Sequence, residues 1–258
     1  VLGTFSTNTI DTLLAFTNTG KMFRLLVDNI PAGTNASKGV GIGSLINLEP
    51  SEKVIAATTL ERKNNKKYVV FMTKQGLIKK TLLEEYTQTK RSTGIAAIKL
   101  KEGDSIANIE LMNEEEMIII TKKGMSIRFE TKDITAIGRV ASGVKTIKLD
   151  GDDEVLVGLP ILNKEDQVAI FTQYGYGKKT KIEEFPLQGR AGKGVVVYKT
   201  TPSTGEIVGA AVINDESNLL LVGKTSICIS AKDVPLLGRP ATGNIMIKNG
   251  ILNSVVEL

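Results

Sequence analysis

The sequence contains no histidine and a single cysteine, Cys228. Within this chain those two scarcities exclude a zinc site of imidazoles and thiolates, a serine–histidine–aspartate triad, a cysteine–histidine pair and an internal disulfide. Long apolar runs are missing as well. Stretches such as Val69 to Met72 and Leu219 to Val222 fall far below the roughly 18 residues that a membrane-spanning helix needs. No basic stretch leads into an apolar segment and a cleavage site at the N-terminus, so a cytoplasmic location without a membrane partner is expected. No helical stretch of useful length is readable either; only the segments around Leu82 to Tyr86 and Lys132 to Thr135 suit a single turn. What remains is 258 residues, 41% hydrophobic and 24% charged, the composition of a folded chain rather than a disordered one.

Glycine supplies the organising signal. One series, Gly39, Gly94, Gly143, Gly194 and Gly243, is separated by 55, 49, 51 and 49 residues, and a second, Gly20, Gly76, Gly124 and Gly175, precedes it by 19, 18, 19 and 19. Two series in one register mark a repeat of about 50 residues. Each unit opens with a β-rich run, a turn ending in glycine and a second run, as in YVVFMTKQGLIKKT from Tyr68 or MIIITKKGMSIRF from Met117. That is a hairpin signal, because glycine reaches the positive φ of a tight turn. A polar segment, a loop to the second glycine, a strand such as GIAAIKL and a final strand such as IANIELM complete four strands per unit. The readable repeats run over 12–61, 68–112, 117–161, 167–213 and 218–258, and 1–11 reads as the end of a preceding unit. The fifth hairpin, NLLLVGKTSICIS, lacks the turn glycine, and Cys228 within it is expected to be a small buried hydrophobe. The predicted fold is all-β, with four-stranded blades repeated radially into a closed disc; a stacked solenoid fits the strand lengths less well.

The net charge of +5 is unevenly spread. Residues 62–101 carry eleven basic and two acidic residues, 102–166 eight basic and fourteen acidic, and 167–201 return to a net +4. Basic residues also recur at matching places: Lys79 and Lys80, then Lys178 and Lys179, share a position on the second hairpin strand with Arg24 and Arg128. The loops before the second glycines add Lys38, Lys90, Arg91, Arg139, Arg190, Lys193 and Arg239. Equivalent outward positions on successive blades make a track for a polyanion, read through phosphate contacts rather than base sequence. A protein-interaction propeller whose lysines merely keep it soluble is the competing reading. The acidic group Asp150, Asp152, Asp153 and Glu154 lacks the spacing of a calcium loop and reads as a solvated turn.

The order of LLAFTNTGKMFRL, GLIKKTLLEEY and GMSIRF…DI…GRxxxGVKTIKL resembles the C-terminal domain of the DNA gyrase A subunit over essentially the whole chain, with the topoisomerase IV A-subunit domain as the alternative. The resemblance implies a β-pinwheel, a propeller-like disc whose blades exchange strands and whose basic rim wraps duplex DNA. It also implies a partnership with the B subunit and the remainder of the A subunit in an A2B2 enzyme, the isolated domain being monomeric. Catalysis, ATP and Mg²⁺ then belong to other parts of that enzyme, leaving this chain non-catalytic and without a cofactor. The segment nearest the family's QRRGGKG box is Gln188-Gly189-Arg190-Ala191-Gly192-Lys193-Gly194, which departs from it by Gly for the first Arg and Ala for the first Gly and falls in the fourth readable repeat rather than the first. Gln188, Arg190 and Lys193 join the expected DNA contacts on that ground.

Overall fold

The computed structural model describes residues 7–34, 37–88, 93–248 and 250–258. Five antiparallel hairpins form its frame: β1 (Thr12–Thr17) with β2 (Lys21–Leu26), β4 (Tyr68–Thr73) with β5 (Leu77–Leu82), β8 (Glu116–Thr121) with β9 (Met125–Glu130), β12 (Gln167–Thr172) with β13 (Tyr176–Lys181), and β16 (Asn218–Gly223) with β17 (Ile227–Ser230). In the first four, a threonine ends the first strand and a glycine of positive φ closes the turn. At Gly124 the constraint is double, since φ is +93° and a Cβ would collide with the carbonyl oxygen of Tyr198.

A third strand pairs with the first strand of each hairpin: β3 (Val54–Leu60), β7 (Ile106–Met112), β11 (Val155–Ile161), β15 (Ile207–Ile213) and β19 (Leu252–Glu257). Each joins with a bulge beside the residue that ends the hairpin's first strand. These five strands are the innermost, and all line one central cavity of about 640 Å³.

The outermost strands are exchanged. β6 (Ile95–Ala96) leaves the second repeat to pair with β2, and β10 (Val144–Lys145), β14 (Val195–Val196) and β18 (Asn244–Ile245) likewise pair with β5, β9 and β13 of the preceding sheet. They are shorter than the seven-residue strands read from the sequence. Pairing stops because the chain turns to hydrogen-bond the hairpin glycine, as when the Ala97 and Ile98 amides both donate to the Gly20 carbonyl. The result is a five-bladed propeller arrangement. The fifth sheet, β17-β16-β19, has three strands, because a fourth comes from a following repeat and none pairs there among the described residues.

Apolar side chains are buried between blades rather than within one. Phe16 of the first blade meets Phe71 of the second edge to face at 5.3 Å between ring centroids, and similar clusters join the second to the third, the third to the fourth and the fourth to the fifth. The outer face of the first blade is covered differently, by Ile42, Leu45, Ile46 and Leu48 of its own loop against Ala15, Phe23 and Leu25. The expected single turns occur as α1 (Glu84–Thr87) and a 3-10 turn at Thr131–Asp133.

Cys228 contradicts its expected burial and is exposed. It pairs across from Leu220 on β17, whose outer side pairs with no strand among the described residues.

Candidate nucleic-acid interface

The register of the hairpins puts Arg24, Lys80, Arg128, Lys179 and Cys228 at one position, opposite the third residue of the first strand. The sequence alone places the first four outward; the structure corrects this for Lys80, Arg128 and Lys179, which are buried. Each reaches into the next blade. Lys80 Nζ donates to the Thr131 carbonyl at 2.9 Å, beside Glu114 at 3.5 Å. Arg128 donates to the carbonyls of Ile182 and Phe185, both at 3.0 Å, and is paired with Glu116. Lys179 pairs with Asp215 at 3.2 Å. Arg24 is exposed, yet its guanidinium also donates to the next unit, to the Thr87 carbonyl at 2.8 Å. These cations are inter-blade staples, and in the fifth blade, whose β17 has no outer strand partner among the described residues, the position is held by cysteine.

Lys79 and Lys178 are corrected in the same way, since both are fully enclosed. Lys79 Nζ donates to Thr81 Oγ1 at 2.6 Å, the Ala97 carbonyl at 2.8 Å and Tyr86 Oη at 3.0 Å, and lies 4.9 Å from the centre of the Phe71 ring. Burial pulls its pKa down to about 7, with Glu85 opposing and Arg139 adding to the pull. Lys178 Nζ donates to the carbonyls of Gly238, at 2.8 Å, and Arg239; burial lowers it to about 8. Such ammonium groups are spent on backbone acceptors and cannot meet phosphate without leaving the core.

The exposed cations lie along the exchanged strands and the loops before them. Arg190, Lys193 and Lys38 are exposed, Arg139, Arg239 and Gln188 are half-buried, and Lys90 and Arg91 lie outside the described residues. Arg190 donates to the carbonyl of Lys145 on β10, and Arg239 to that of Val196 on β14, both at 3.2 Å. These two loop arginines therefore rest on the outermost strand of an earlier sheet. The Gln188 amide donates to the Arg128 carbonyl at 2.8 Å, which ties the box segment to β9. Ala191 within that box is the one described non-glycine residue of positive φ, +68°, so it keeps a glycine-like backbone where the family box has glycine.

Sequence reasoning missed a further set. Lys99, Lys148, Lys199 and Lys248 each stand five residues after the second glycine of their repeat, and all four are exposed. The backbone brings two of them to the arginine loops: the Lys99 amide donates to the Ala141 carbonyl at 3.1 Å and the Lys148 amide to the Gly192 carbonyl at 2.8 Å. The identical offset was the available signal. The first repeat has Ser44 there, so the series covers four of the five units. Elsewhere charge is neutralised locally, as in the pairs Lys122–Glu154 at 2.7 Å and Lys123–Asp152. Among the described residues no group of three or more acidic, cysteine or histidine side chains could hold a metal ion, and no helix is long and apolar enough to cross a membrane.

A family model described as "DNA gyrase C-terminal domain, beta-propeller" matches residues 11–61, 67–111, 115–159 and 166–214. The chain belongs to this family. Its similarity to the DNA gyrase A subunit of Lawsonia intracellularis (strain PHE/MN1-00) is 35% identity over 92% of this chain and 29% of that protein, so the chain spans under a third of the length of such relatives. Among solved structures, a C-terminal domain of DNA topoisomerase IV superposes with a TM-score of 0.85 at 28% identity, covering 97% of this chain and 80% of the other. A DNA gyrase A C-terminal domain superposes equally well, at 0.85 and 25% identity, covering 97% and 83%. The gyrase C-terminal family assignment thus rests on repeat sequence and on blade geometry together.

Proposed function

We propose that this chain is the DNA-binding and DNA-wrapping domain of a type IIA topoisomerase A subunit, and that duplex DNA follows the edge formed by the exchanged strands. The carrying observation is the exposed lysine at one offset in four successive repeats, of which Lys99 and Lys148 are hydrogen-bonded to the arginine loop of the following repeat. Lys99, Lys148, Lys199 and Lys248 form the track with Arg139, Arg190, Lys193 and Arg239, and Gln188, Arg24 and Lys38 add to it. Recurrent point charges on a curved edge favour a bent duplex, because each phosphate contact offsets part of the bending cost of about 1 to 6 kcal/mol for 20 to 30 base pairs. The five innermost strands around one cavity support a radial, disc-like arrangement of the blades. In the full A2B2 enzyme, associated with the chromosome in the cytoplasm, such wrapping presents a second duplex with a fixed crossing sign. ATP, Mg²⁺ and strand cleavage belong to the rest of that assembly. The gyrase reading follows the curated relatives, and the equal superposition on the topoisomerase IV domain supports the alternative role of setting substrate geometry in relaxation or decatenation.

The test is the linking-number change when a nicked plasmid is sealed in the presence of rising amounts of the chain at low salt. A stoichiometric shift of one sign is expected, and it should collapse in the variant with Lys99, Lys148, Lys199 and Lys248 all changed to Ala. Binding without a shift overturns wrapping, and no binding overturns the DNA reading in favour of a protein-interaction propeller.

A further inference from the structure

Beside the exposed cations sits an apolar feature that phosphate contact does not explain. In the third, fourth and fifth repeats the residue after the loop arginine is apolar and exposed: Val140 after Arg139, Ala191 after Arg190, Pro240 after Arg239. At 70%, Val140 is the most exposed large hydrophobic side chain among the described residues. Isolated exposed hydrophobics are ordinary; recurrence beside an arginine at one loop position is not.

Two of these loops are tight turns with the cation and the apolar group at their central positions. Ala141 N–H donates to the Gly138 carbonyl across Arg139 and Val140, and Ala241 N–H to the Gly238 carbonyl across Arg239 and Pro240, both at 3.2 Å. Both are fixed from below. The Ile137 amide donates to the Lys80 carbonyl at 2.8 Å and the Leu237 amide to the Lys179 carbonyl at 2.9 Å. Glu184 accepts the Arg239 amide at 3.1 Å, and Lys178 holds the Gly238 and Arg239 carbonyls. The apolar corners are thus presented on rigid supports and cannot fold away. Minor-groove proteins that kink a duplex combine such a cation with a rigid apolar group inserted at a base step.

Resting on the DNA-wrapping reading, we propose that Val140 and Pro240 are apolar wedges that enter the minor groove beside their arginines, so that curvature is concentrated at easily unstacked pyrimidine–purine steps. The domain then selects sequence by deformability at those particular steps, beyond the smooth bending that its lysines drive. The fourth loop, with only the Ala191 methyl, is the weak member of the set.

The experiment compares two duplexes of equal length and composition, one with TA steps repeated at about 10 base pairs and one with rigid A-tracts at those places, in direct competition. The wild-type chain is expected to prefer the flexible duplex by about 5- to 10-fold, within the range typical of single-step discrimination. Val140→Ser combined with Pro240→Ser should reduce the preference below about twofold at an unchanged salt slope, while Val140→Leu, which keeps an apolar corner, retains it. Thermal melting of each variant reports folding separately. Equal wild-type affinity for both duplexes, or a preference that survives in the double serine variant, overturns the wedges while leaving wrapping intact. Absence of wild-type binding to either duplex overturns the DNA reading and the wedges with it.

Discussion

Lys79 and Lys99 stand twenty residues apart in one repeat, both in lysine-rich β sequence, and the fold treats them oppositely. Lys79 is sealed between two blades with three acceptors around its ammonium; Lys99 lies exposed beyond the exchanged strand. The contrast recurs between Lys178 and Lys199. A run of basic residues on a strand is therefore not by itself a surface charge. In a stack of sheets both faces of a middle strand meet a neighbouring blade, and only the outermost segment is left to water.

Truncation should expose the difference most strongly. Lys79→Ala removes a buried side chain and leaves the Ala97 carbonyl and Thr81 short of a partner, so a loss of about 3 kcal/mol is expected in denaturant unfolding. Lys99→Ala should stay within about 0.5 kcal/mol. Equal losses at the two positions would erase the distinction.

Acidity separates the two sets a second way. With a pKa near 7 in the folded chain and an ordinary value when unfolded, Lys79 binds fewer protons folded than unfolded between about pH 7 and 10.5. Stability therefore rises with pH across that window, by about 1.4 kcal/mol per unit from this group, and its burial penalty is greatest below pH 7. Lys178 adds in the same direction from about pH 8. Urea midpoints measured from pH 6 to 10 should rise in the wild type and rise less steeply in Lys79→Met, where Lys178 still acts in the same direction; a wild-type midpoint that falls over this range would contradict the lowered pKa of Lys79.

Much of this architecture is open to sequence reading. The paired glycine series marks the repeat, and the threonine–turn–glycine pattern marks each hairpin, because positive φ leaves few residue choices. The exchanged strands are visible as segments, but their partners are not: pairing with the preceding sheet is a long-range choice that no local pattern encodes. The outward placing of the hairpin cations fails for a related reason. Strand alternation separates an inner from an outer face only when one side meets water, and β5 and β13 have no wet face. Lys148 and Lys199 escape notice because each looks like an ordinary polar residue in a strand, and only the five-residue offset from glycine sets them apart.

Smaller effects probe the same contrast. Ala191→Gly relieves a left-handed backbone in the exposed loop and should stabilise the chain by about 1 kcal/mol, as read by thermal unfolding, without lowering DNA affinity. Single Ala substitutions at Lys148 or Lys199 should leave the melting temperature in place and lower the slope of log affinity against log salt by about 0.9, whereas Lys80→Ala should move the melting temperature. Smallest of all, Cys228→Ser should change stability by less than about 0.5 kcal/mol, and the native thiol should react with a thiol reagent as fast as in the unfolded chain. Slow reaction would place it behind a covering strand.

The borrowed outermost strand also sets an order of assembly during synthesis. A sheet made on the ribosome is left one strand short until the next repeat supplies β6, β10, β14 or β18. At about 5 to 20 residues per second, a repeat of some 50 residues takes roughly 2 to 10 s to emerge. Throughout elongation the growing chain thus carries one unfinished edge at its newest sheet, which moves forward as each older sheet is sealed.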